Sequence, residues 1–312
     1  MSALPPGFGA GHWTDRERWT GCTVVLAPDT AVAACEVRGG GPGTRETDVL
    51  SPASAAPGAQ ALLLTGGSAF GLGAADGVVA FLAERGIGFR TRVAVVPLVT
   101  AAVVYDLALG DDTARPTAEN AYAACEAAVA GSPERGSVGV GTGCTVGKLL
   151  GPEHWTKGGF GGASVELTGG ATVTALAAVN AFGEVLAEDG SVLAGIRRDD
   201  GYLRAADLFR EGVRAERPWR EATTLIAVLT DAALTKTQAW LVARAASAGV
   251  ARAVSPSATS FDGDVAFCFA SGRVEADPLA VSVLAAEATA AAIRDAVRSA
   301  TGAPGCPAAG SP

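Results

Sequence analysis

Hydrophobic runs rich in β-branched residues alternate with stretches of helical pattern over the first 190 residues, and this alternation limits the possible folds most strongly. The runs are CTVVLAP, QALLLTGG and ATVTALAAVNAF, and the helical stretches are AADGVVAFLAERG and NAYAACEAAVAG. With 312 residues and 49% hydrophobic content, the chain can bury a substantial core. The pattern predicts an α/β (α+β) protein with one large domain.

A charged segment interrupts this pattern before the last third of the chain. Residues 191–222 contain seven arginines and six acidic residues with little sustained core periodicity, so we predict a solvent-exposed excursion. The next run, TTLIAVLTD, predicts a central buried strand that begins at Thr223 or Thr224. A buried strand therefore starts abruptly at a threonine.

Helix-capping patterns mark two helices near the carboxyl end. Thr235 and Gln238 have the spacing of a capping box, which predicts a helix that ends at Gly249. The Asp-Pro pair at 277–278 predicts the start of a long Ala-rich helix that runs to about Gly302. The small and proline-rich tail, residues 303–312, is predicted to be disordered.

The charge and hydropathy of the chain exclude several classes of partner. A net charge of −8 and a pI near 4.9, with no basic run, argue against a nucleic-acid or anionic membrane surface. The first residues, MSALPPGFGAGHW, lack a positive charge before an apolar region. The longest strongly apolar run, from Val93 to Tyr105, contains Pro97 and is too short to span a bilayer. We expect a soluble cytoplasmic protein.

Cysteine and histidine usage argues against a metal site or a cofactor. The six cysteines form no CxxC pair, and His12 and His154 are the only histidines. Both histidines lie in short polar contexts, AGHWTD and PEHWTK, that we assign to loops. The scarcity of histidine also argues against a Ser-His-Asp triad.

A glycine-rich stretch, GVGTGCTVGKLLG, resembles a phosphate-binding loop but fails both common patterns. In a P-loop register, Thr142 stands where the first glycine is required, and Leu149 stands where a serine or threonine follows the lysine. In the two dinucleotide registers, Cys144 or Val146 replaces the third glycine. Lys148 therefore needs another explanation.

A second glycine motif, LTGGSAFGLGAADG, lies where a strand passes into a helix. Small residues there allow close backbone approach. We interpret Gly66, Gly67 and Ser68 as a tight turn rather than a catalytic element, because no candidate base lies in the neighbouring sequence.

A threonine at the start of a buried strand has one route to catalysis in a chain with so little histidine. A hydroxyl needs an adjacent base, and the free α-amine of an amino-terminal threonine can be that base. An unperturbed α-amine has a pKa of roughly 7.7 to 8.0 and accepts a proton near neutrality. Cleavage between Ala222 and Thr223 would create this group, and a charged segment that leads into a buried strand is a reasonable site for the cut.

An ordered series of motifs over most of residues 20–275 resembles the P1 peptidase family of self-processing N-terminal-nucleophile hydrolases. This family includes L-aminopeptidase D-amidase/esterase, the β-peptidyl aminopeptidases and the nylon-oligomer endo-hydrolases. The motifs are GCTVVLAP, VRGGGPGTRETDVL, LTGGSAFGLGAADG, GVGTGCTVGK, AVNAFGEV, TTLIAVLTDAALTKTQ and SFDGDVAF. The resemblance implies a four-layer αββα sandwich and autocleavage into chains 1–222 and 223–312. It also implies a homo-oligomer, plausibly a tetramer.

The resemblance implies specific site residues. It makes Thr223 the nucleophile, and Tyr105, Lys148 and Asn180 match the family's active-site tyrosine, lysine and asparagine. A lysine near Thr223 would disfavour protonation of the new α-amine. The uncharged amide of Asn180 is our choice of oxyanion donor, with Tyr105 as a second donor or proton relay.

Two acidic residues and two departures complete the comparison with the family. Asp262 and Asp264 in FDGD match acidic positions of the nylon-hydrolase branch, where they would orient Thr223 or Lys148 or bind the amine end of a substrate. Ala222 stands where relatives commonly have asparagine or glycine, which predicts slower processing, and Thr100 replaces a usual proline. Thr224 is a rival nucleophile that the family motif disfavours.

The function that follows is hydrolysis of amide bonds in peptides or oligoamides. The threonine nucleophile together with FDGD favours the nylon-oligomer branch over the serine-using aminopeptidases. Two other classes stay open: an acyltransferase of the ornithine acetyltransferase type, and an unprocessed binding protein without catalysis.

Overall fold

Two five-stranded sheets form the centre of the computed structural model, which describes residues 3–199, 201–215 and 221–310. The strands in chain order are β1 (Gly9–Asp15), β2 (Thr20–Leu26), β3 (Val32–Val37), β4 (Thr44–Arg45), β5 (Ala61–Thr65), β6 (Phe89–Arg90), β7 (Val95–Val96), β8 (Val99–Val103), β9 (Thr145–Val146), β10 (Thr156–Lys157), β11 (Gly159–Glu166), β12 (Thr172–Asn180), β13 (Glu184–Leu186), β14 (Val192–Ala194), β15 (Ile196–Arg198), β16 (Gly201–Leu203), β17 (Thr223–Ala232), β18 (Val254–Ser255) and β19 (Val265–Val274).

Helices cover the outer faces of these sheets. They are α1 (Ala75–Glu84), α2 (Ala118–Glu126), α4 (Lys236–Val250) and α5 (Pro278–Arg298), whereas the short helix α3 (Ala205–Arg210) packs in a separate small core cluster. Short 3-10 turns lie at Asp48–Leu50, Ser68–Ala74, Gly139–Gly141 and Pro152–His154. None of the helices in the described ranges has the length and apolar content to cross a bilayer.

The two sheets pack face to face between two helical layers. The first sheet has the order β1-β2-β5-β8-β4, and the second has the order β11-β12-β17-β19-β3. One core cluster lies between the sheets, a second lies beneath α1 and α2, and a third lies beneath α4 and α5. This is the four-layer αββα sandwich that the family resemblance implied, and that prediction is confirmed.

Side-chain alternation explains why the central strands read as continuous hydrophobic runs. In β17, Leu225, Ala227 and Leu229 face the other sheet, whereas Ile226 and Val228 face the α4–α5 layer. Successive strand residues point to opposite faces, and both faces are buried here. The run TTLIAVLTD is therefore a central strand, as predicted.

The position of β17 in its sheet determines what lies beside Thr223. β17 pairs antiparallel with β12 and parallel with β19, in the middle of the sheet. In the β12 register, the last residue of β12, Asn180, lies opposite the first residue of β17, Thr223. Strand pairing alone thus brings together two residues that are far apart in sequence.

The capping patterns near the carboxyl end are confirmed. The Thr235 hydroxyl accepts from the Gln238 N–H at 3.3 Å, the Gln238 side chain accepts from the Thr235 N–H at 2.8 Å, and α4 follows. The carboxylate of Asp277 caps α5 through the Leu279 N–H at 3.0 Å. This helix ends at Arg298, four residues before the predicted end at Gly302.

The tail packs against the body of the chain over residues 303–310, so the predicted disorder is wrong there, and residues 311–312 lie outside the described residues. Cys306 is 2% exposed, and the Pro307 carbonyl accepts from the Lys157 N–H at 2.9 Å. The composition of the tail is typical of disorder, but one buried side chain and one strand edge are enough to hold it.

The charged excursion is also more structured than predicted. It contains β14, β15, β16 and α3, and Ile196, Ala205 and Leu208 are buried in a small core cluster with Ala222. Residues 200 and 216–220 of this segment lie outside the described residues. The apolar residues are too widely spaced to give a local periodic signal, and only the tertiary fold brings them together.

His12 lies in strand β1 rather than in the loop that its polar context suggested, whereas His154 ends a 3-10 turn. The His12 Nδ1 atom is 2.9 Å from the Thr23 hydroxyl, and the imidazole packs edge-on against Phe160 at 5.0 Å. Burial lowers the pKa of His12 from 6.5 to about 4.

A His12→Phe variant tests this burial. The unfolded chain binds a proton to histidine below pH 6.5 while the folded chain resists it, so the free energy of unfolding of wild type falls as the pH drops from 6.5 towards 4. This contribution is at most about 1.4 kcal/mol per pH unit. Urea denaturation at pH 7 and pH 5 should show a smaller loss for His12→Phe than for wild type. Equal losses would contradict the neutral buried imidazole.

Candidate active site

The hydroxyl of Thr223 lies beside the peptide bond that precedes it. Its Oγ1 donates to the Ala222 carbonyl oxygen at 2.6 Å, and the same oxygen accepts from the Gly263 N–H at 2.8 Å. Thr223 is 6% exposed and Ala222 is 3% exposed. The uncleaved chain therefore buries this bond with two donors on its carbonyl oxygen.

The side-chain amide of Asn180 is fully buried, and all of its close partners are polar. Its Oδ1 accepts from the Thr145 N–H at 3.0 Å and from Lys148 Nζ at 2.9 Å. Its Nδ2 donates to the carbonyls of Tyr105 at 2.9 Å and Glu221 at 3.2 Å. The two donors on Oδ1 fix the orientation of the amide, so that Nδ2 points towards the residues before Thr223.

Lys148 lies at the end of the glycine-rich stretch and reaches the same carbonyl as Asn180. Its Nζ donates to the Glu221 carbonyl at 2.7 Å in addition to Asn180 Oδ1. The ammonium also lies 5.3 Å from the ring centre of Trp155. Burial lowers the pKa of Lys148 from 10.5 to about 8, so the charge can be lost at mildly alkaline pH.

Tyr105 joins the site through its main chain as well as its side chain. Its carbonyl holds Asn180 Nδ2, whereas its side chain lines a cavity next to Glu221. Burial raises the pKa of Tyr105, and the neighbouring Glu221 carboxylate raises it further. The phenol is therefore protonated at neutral pH and able to donate.

A cavity of about 520 Å³ opens beside these residues. Its walls are mainly apolar and include Leu149, Leu150, Trp155, Phe182, Val213 and Phe261. The polar and charged groups in the lining are Tyr105, Lys148, Glu153, Arg214 and Glu221. Its size is that of a pocket for a small ligand. Thr223 is not among the lining residues, whereas Glu221, two residues before it, is.

The two acidic residues of FDGD bind main-chain donors around the start of β17. Asp264 accepts from the N–H groups of Thr224 at 2.6 Å and Ala258 at 2.9 Å. Asp262 accepts from the Phe182 N–H at 3.3 Å and from the N–H and hydroxyl of Thr259 at 2.9 Å and 2.6 Å. Burial and the nearby Asp262 raise the pKa of Asp264. Both carboxylates are buried, and neither reaches the cavity.

Thr224 points to the opposite face of β17 from Thr223, as strand alternation requires. Its hydroxyl is buried and has no hydrogen-bond partner among the described residues. Of the two threonines, it is therefore the Thr223 hydroxyl that contacts the Ala222 carbonyl.

The structure adds groups that the sequence patterns did not indicate. The Gly263 N–H and the Glu221 carbonyl are main-chain atoms, which residue type does not reveal. Asp106 is a buried carboxylate directly after Tyr105, and its charge in the motif VVYDL was the one available signal. Within the described ranges, no group of three or more His, Cys, Asp or Glu side chains is arranged to hold a metal ion.

Sequence comparisons identify the proteins that this chain is similar to. The profile of Peptidase family S58 matches residues 6–307. An uncharacterized aminopeptidase of Mycobacterium leprae is 42% identical over 277 residues, which cover 82% of this chain and 72% of that protein. A 6-aminohexanoate-oligomer endohydrolase of an Agromyces species is 28% identical over 275 residues, which cover 86% of this chain and 73% of that protein.

Solved structures share the fold over almost the whole chain. A β-aminopeptidase of a Burkholderia species has a TM-score of 0.73 at 24% identity and covers 96% of this chain and 87% of its own. The L-aminopeptidase D-Ala-esterase/amidase of Ochrobactrum anthropi has a TM-score of 0.74 at 20% identity, with coverages of 98% and 89%. The latter is described as a variant of the Ntn hydrolase fold.

The fold and these similarities define a hydrolase of amide bonds with an Ntn-type fold. The chain belongs to Peptidase family S58, and the resemblance inferred from its motifs is confirmed.

Proposed function

We propose that this hydrolase cleaves its own chain between Ala222 and Thr223 and then uses the amino-terminal Thr223 to hydrolyse peptides or oligoamides. The observation that carries the proposal is the contact of the Thr223 hydroxyl with the Ala222 carbonyl, 2.6 Å from oxygen to oxygen, at the start of a rigid central strand. The Gly263 N–H on the same carbonyl oxygen supports it.

Self-cleavage follows from groups already in place. The Oγ1 of Thr223 attacks the Ala222 carbonyl carbon, and the Gly263 N–H stabilises the negative charge that develops on its oxygen. The C–N bond then breaks, and the hydroxyl proton ends on the leaving nitrogen, which leaves an ester between Ala222 and Thr223. Water hydrolyses this ester to a carboxylate at Ala222, a free hydroxyl and a free α-amine.

The cleaved protein has every component of an acyl-transfer site. The α-amine of Thr223 accepts the hydroxyl proton as the hydroxyl attacks a substrate carbonyl, and it returns that proton to the leaving amine. Lys148 and Asn180 Nδ2, which hold the Glu221 carbonyl in the uncleaved chain, become donors for the substrate's oxyanion once that segment moves away. Water then hydrolyses the acyl-enzyme.

The cavity supports a substrate with an apolar acyl or amine portion. Its apolar walls suit aliphatic chains, and the relatives named above act, by their names, as aminopeptidases and as an oligomer endohydrolase. We therefore propose amino-acid amides and 6-aminohexanoate oligomers as the two substrate classes to compare. The processed units are proposed to assemble as a homotetramer.

Intact mass spectrometry of the purified chain tests self-cleavage. Incubation at pH 7.5 should convert the 30.9 kDa chain into two fragments, residues 1–222 and 223–312. Sequencing of the smaller fragment should read Thr-Thr-Leu, whereas a cut before Thr224 would read Thr-Leu-Ile. Protein held in denaturant should stay whole, because self-cleavage needs the folded site.

Two results would overturn the proposal. A wild-type chain that stays at 30.9 kDa after long incubation would favour the binding-protein alternative. Transfer of the acyl group to an added amine that exceeds hydrolysis would favour an acyltransferase.

A further inference from the structure

The carboxylate of Asp106 is deeply buried near the candidate site and is held by neutral donors. Asp106 is 4% exposed. Its Oδ1 accepts from the Gly67 N–H at 2.7 Å, and its Oδ2 accepts from the Thr20 hydroxyl at 2.7 Å. No arginine or lysine of the described ranges forms an ion pair with it. Burial of such a charge is costly, so a retained carboxylate calls for a reason.

Glycines from two sequence motifs make the space for this carboxylate. A Cβ atom at Gly66 would lie 2.0 Å from Asp106 Oδ2, and one at Gly143 would lie 2.4 Å from Asp106 Cβ. Neither distance is compatible with any side chain at these positions. Gly67 has a φ of +81°, which aims its N–H at the carboxylate. The motifs LTGGS and GTGC therefore enclose one acidic side chain.

The enclosed carboxylate adjoins the segments that carry two of the main-chain groups bound to the Asn180 amide. The Tyr105 carbonyl, which accepts from Asn180 Nδ2, belongs to the residue directly before Asp106. The Thr145 N–H, which donates to Asn180 Oδ1, lies two residues after Gly143, the residue packed on Asp106. A displacement at Asp106 would thus move two of the four partners of the Asn180 amide, one on Oδ1 and one on Nδ2.

We propose that Asp106 is a positioning residue that fixes the Tyr105 carbonyl and the Thr145 N–H and thereby sets the orientation of the Asn180 side chain. It acts through these groups and does not touch the substrate. Its effect on catalysis rests on the proposed role of Asn180 as an oxyanion donor, whereas its effect on geometry does not. Burial, which raises the pKa of Asp106 to about 6, agrees with a carboxylate that has no cationic partner in contact.

Crystal structures of Asp106→Asn and Asp231→Asn, each in a Thr223→Ala background, test the geometry without dependence on self-cleavage. Asp231 is a matched control, since it is a carboxylate, 5% exposed, that accepts from the Thr172 N–H at 2.7 Å near the far end of β17. In Asp106→Asn, the distances from Asn180 to the Tyr105 carbonyl and the Thr145 N–H should exceed 3.5 Å, from 2.9 Å and 3.0 Å. In Asp231→Asn both should stay unchanged. Unchanged distances in Asp106→Asn would overturn the proposal, whether or not the wild type cleaves itself.

Kinetics of the same substitutions with Thr223 restored test the consequence. Asp106→Asn should slow self-cleavage and lower kcat of the processed fraction by about tenfold or more, with KM changed less than twofold. Asp231→Asn should lower the Tm but leave kcat per folded molecule unchanged. Asp106→Glu should fail to restore activity, because Gly66 and Gly143 leave no room for a longer chain. A wild-type kcat in Asp106→Asn would overturn the proposed effect of Asp106 on catalysis. The proposed function would still stand if the wild type cleaves itself in the same assay.

Discussion

A Thr223→Ala variant is expected to remain one chain of 30.9 kDa and to lose amide hydrolysis by about 10³-fold or more. The substitution removes the atom that attacks the Ala222 carbonyl, so no acyl shift occurs, and no free α-amine forms to act as base. Both losses arise from one change because the same residue supplies the nucleophile and the base. Intact mass and a discontinuous amide-hydrolysis assay measure the two effects.

Two neighbouring substitutions separate chemistry from structure in this experiment. Thr223→Ser keeps a hydroxyl and should still cleave, although more slowly, because the methyl group that limits side-chain rotation is gone. Thr224→Ala is the matched control, since Thr224 is buried in the same strand but its hydroxyl has no partner among the described residues. It should cleave like the wild type. Cleavage of Thr223→Ala at the same bond would exclude Thr223 as the nucleophile.

A Lys148→Met variant is expected to slow self-cleavage by about 10²-fold, because the segment before the cleaved bond loses a contact that positions it. Methionine keeps the unbranched side chain, one atom shorter, but removes a charge that binds both the Glu221 carbonyl and Asn180 Oδ1. The Glu221 carbonyl would then keep only the longer contact from Asn180 Nδ2, at 3.2 Å. The rate constant of fragment formation, measured by intact mass, tests this effect.

The pH dependence of the same reaction identifies the ammonium. With a pKa of about 8, Lys148 is charged below that pH and loses its proton above it. The wild-type rate attributable to this donor should therefore decline above pH 8, whereas Lys148→Met should lack that decline. Lys236→Met is the control, because Lys236 Nζ also binds main-chain carbonyls, those of Val49, Ser54 and Ala56. Lys236→Met should change the Tm and leave the rate of self-cleavage unchanged. If Lys148→Met cleaves itself at the wild-type rate, Lys148 has no part in the mechanism.

Much of the fold was predictable because its signals are local. Thr235 and Gln238 cap α4 through contacts within one helical turn. The central part of TTLIAVLTD, residues 225–229, is apolar on both faces of the strand. The family motifs added the αββα layers, which periodicity alone does not specify. They also indicated Thr223, Lys148 and Asn180 as a group, and the structure places Lys148 Nζ and Asn180 Oδ1 at 2.9 Å.

Other features depended on contacts between distant parts of the chain. His12 has polar neighbours in sequence, yet it lies in a strand and packs against Phe160 from another part of the chain. Cys306 holds a tail whose composition predicts disorder. The carboxylates of Asp262 and Asp264 bind main-chain N–H groups of distant segments, those of Phe182 and Thr224, and their action on the nucleophile or a substrate stays a prediction.

The amino-acid sequence by itself determined the helix caps, a central strand that begins at Thr223 or Thr224, and the identity of the residues available for chemistry. Only the tertiary structure decided which main-chain atoms meet those residues: the Gly263 N–H on the Ala222 carbonyl, the Glu221 carbonyl between Lys148 and Asn180, and the glycines around Asp106. The physical reason is that every residue carries the same main-chain donor and acceptor. Their use depends on register and packing between distant segments rather than on residue type.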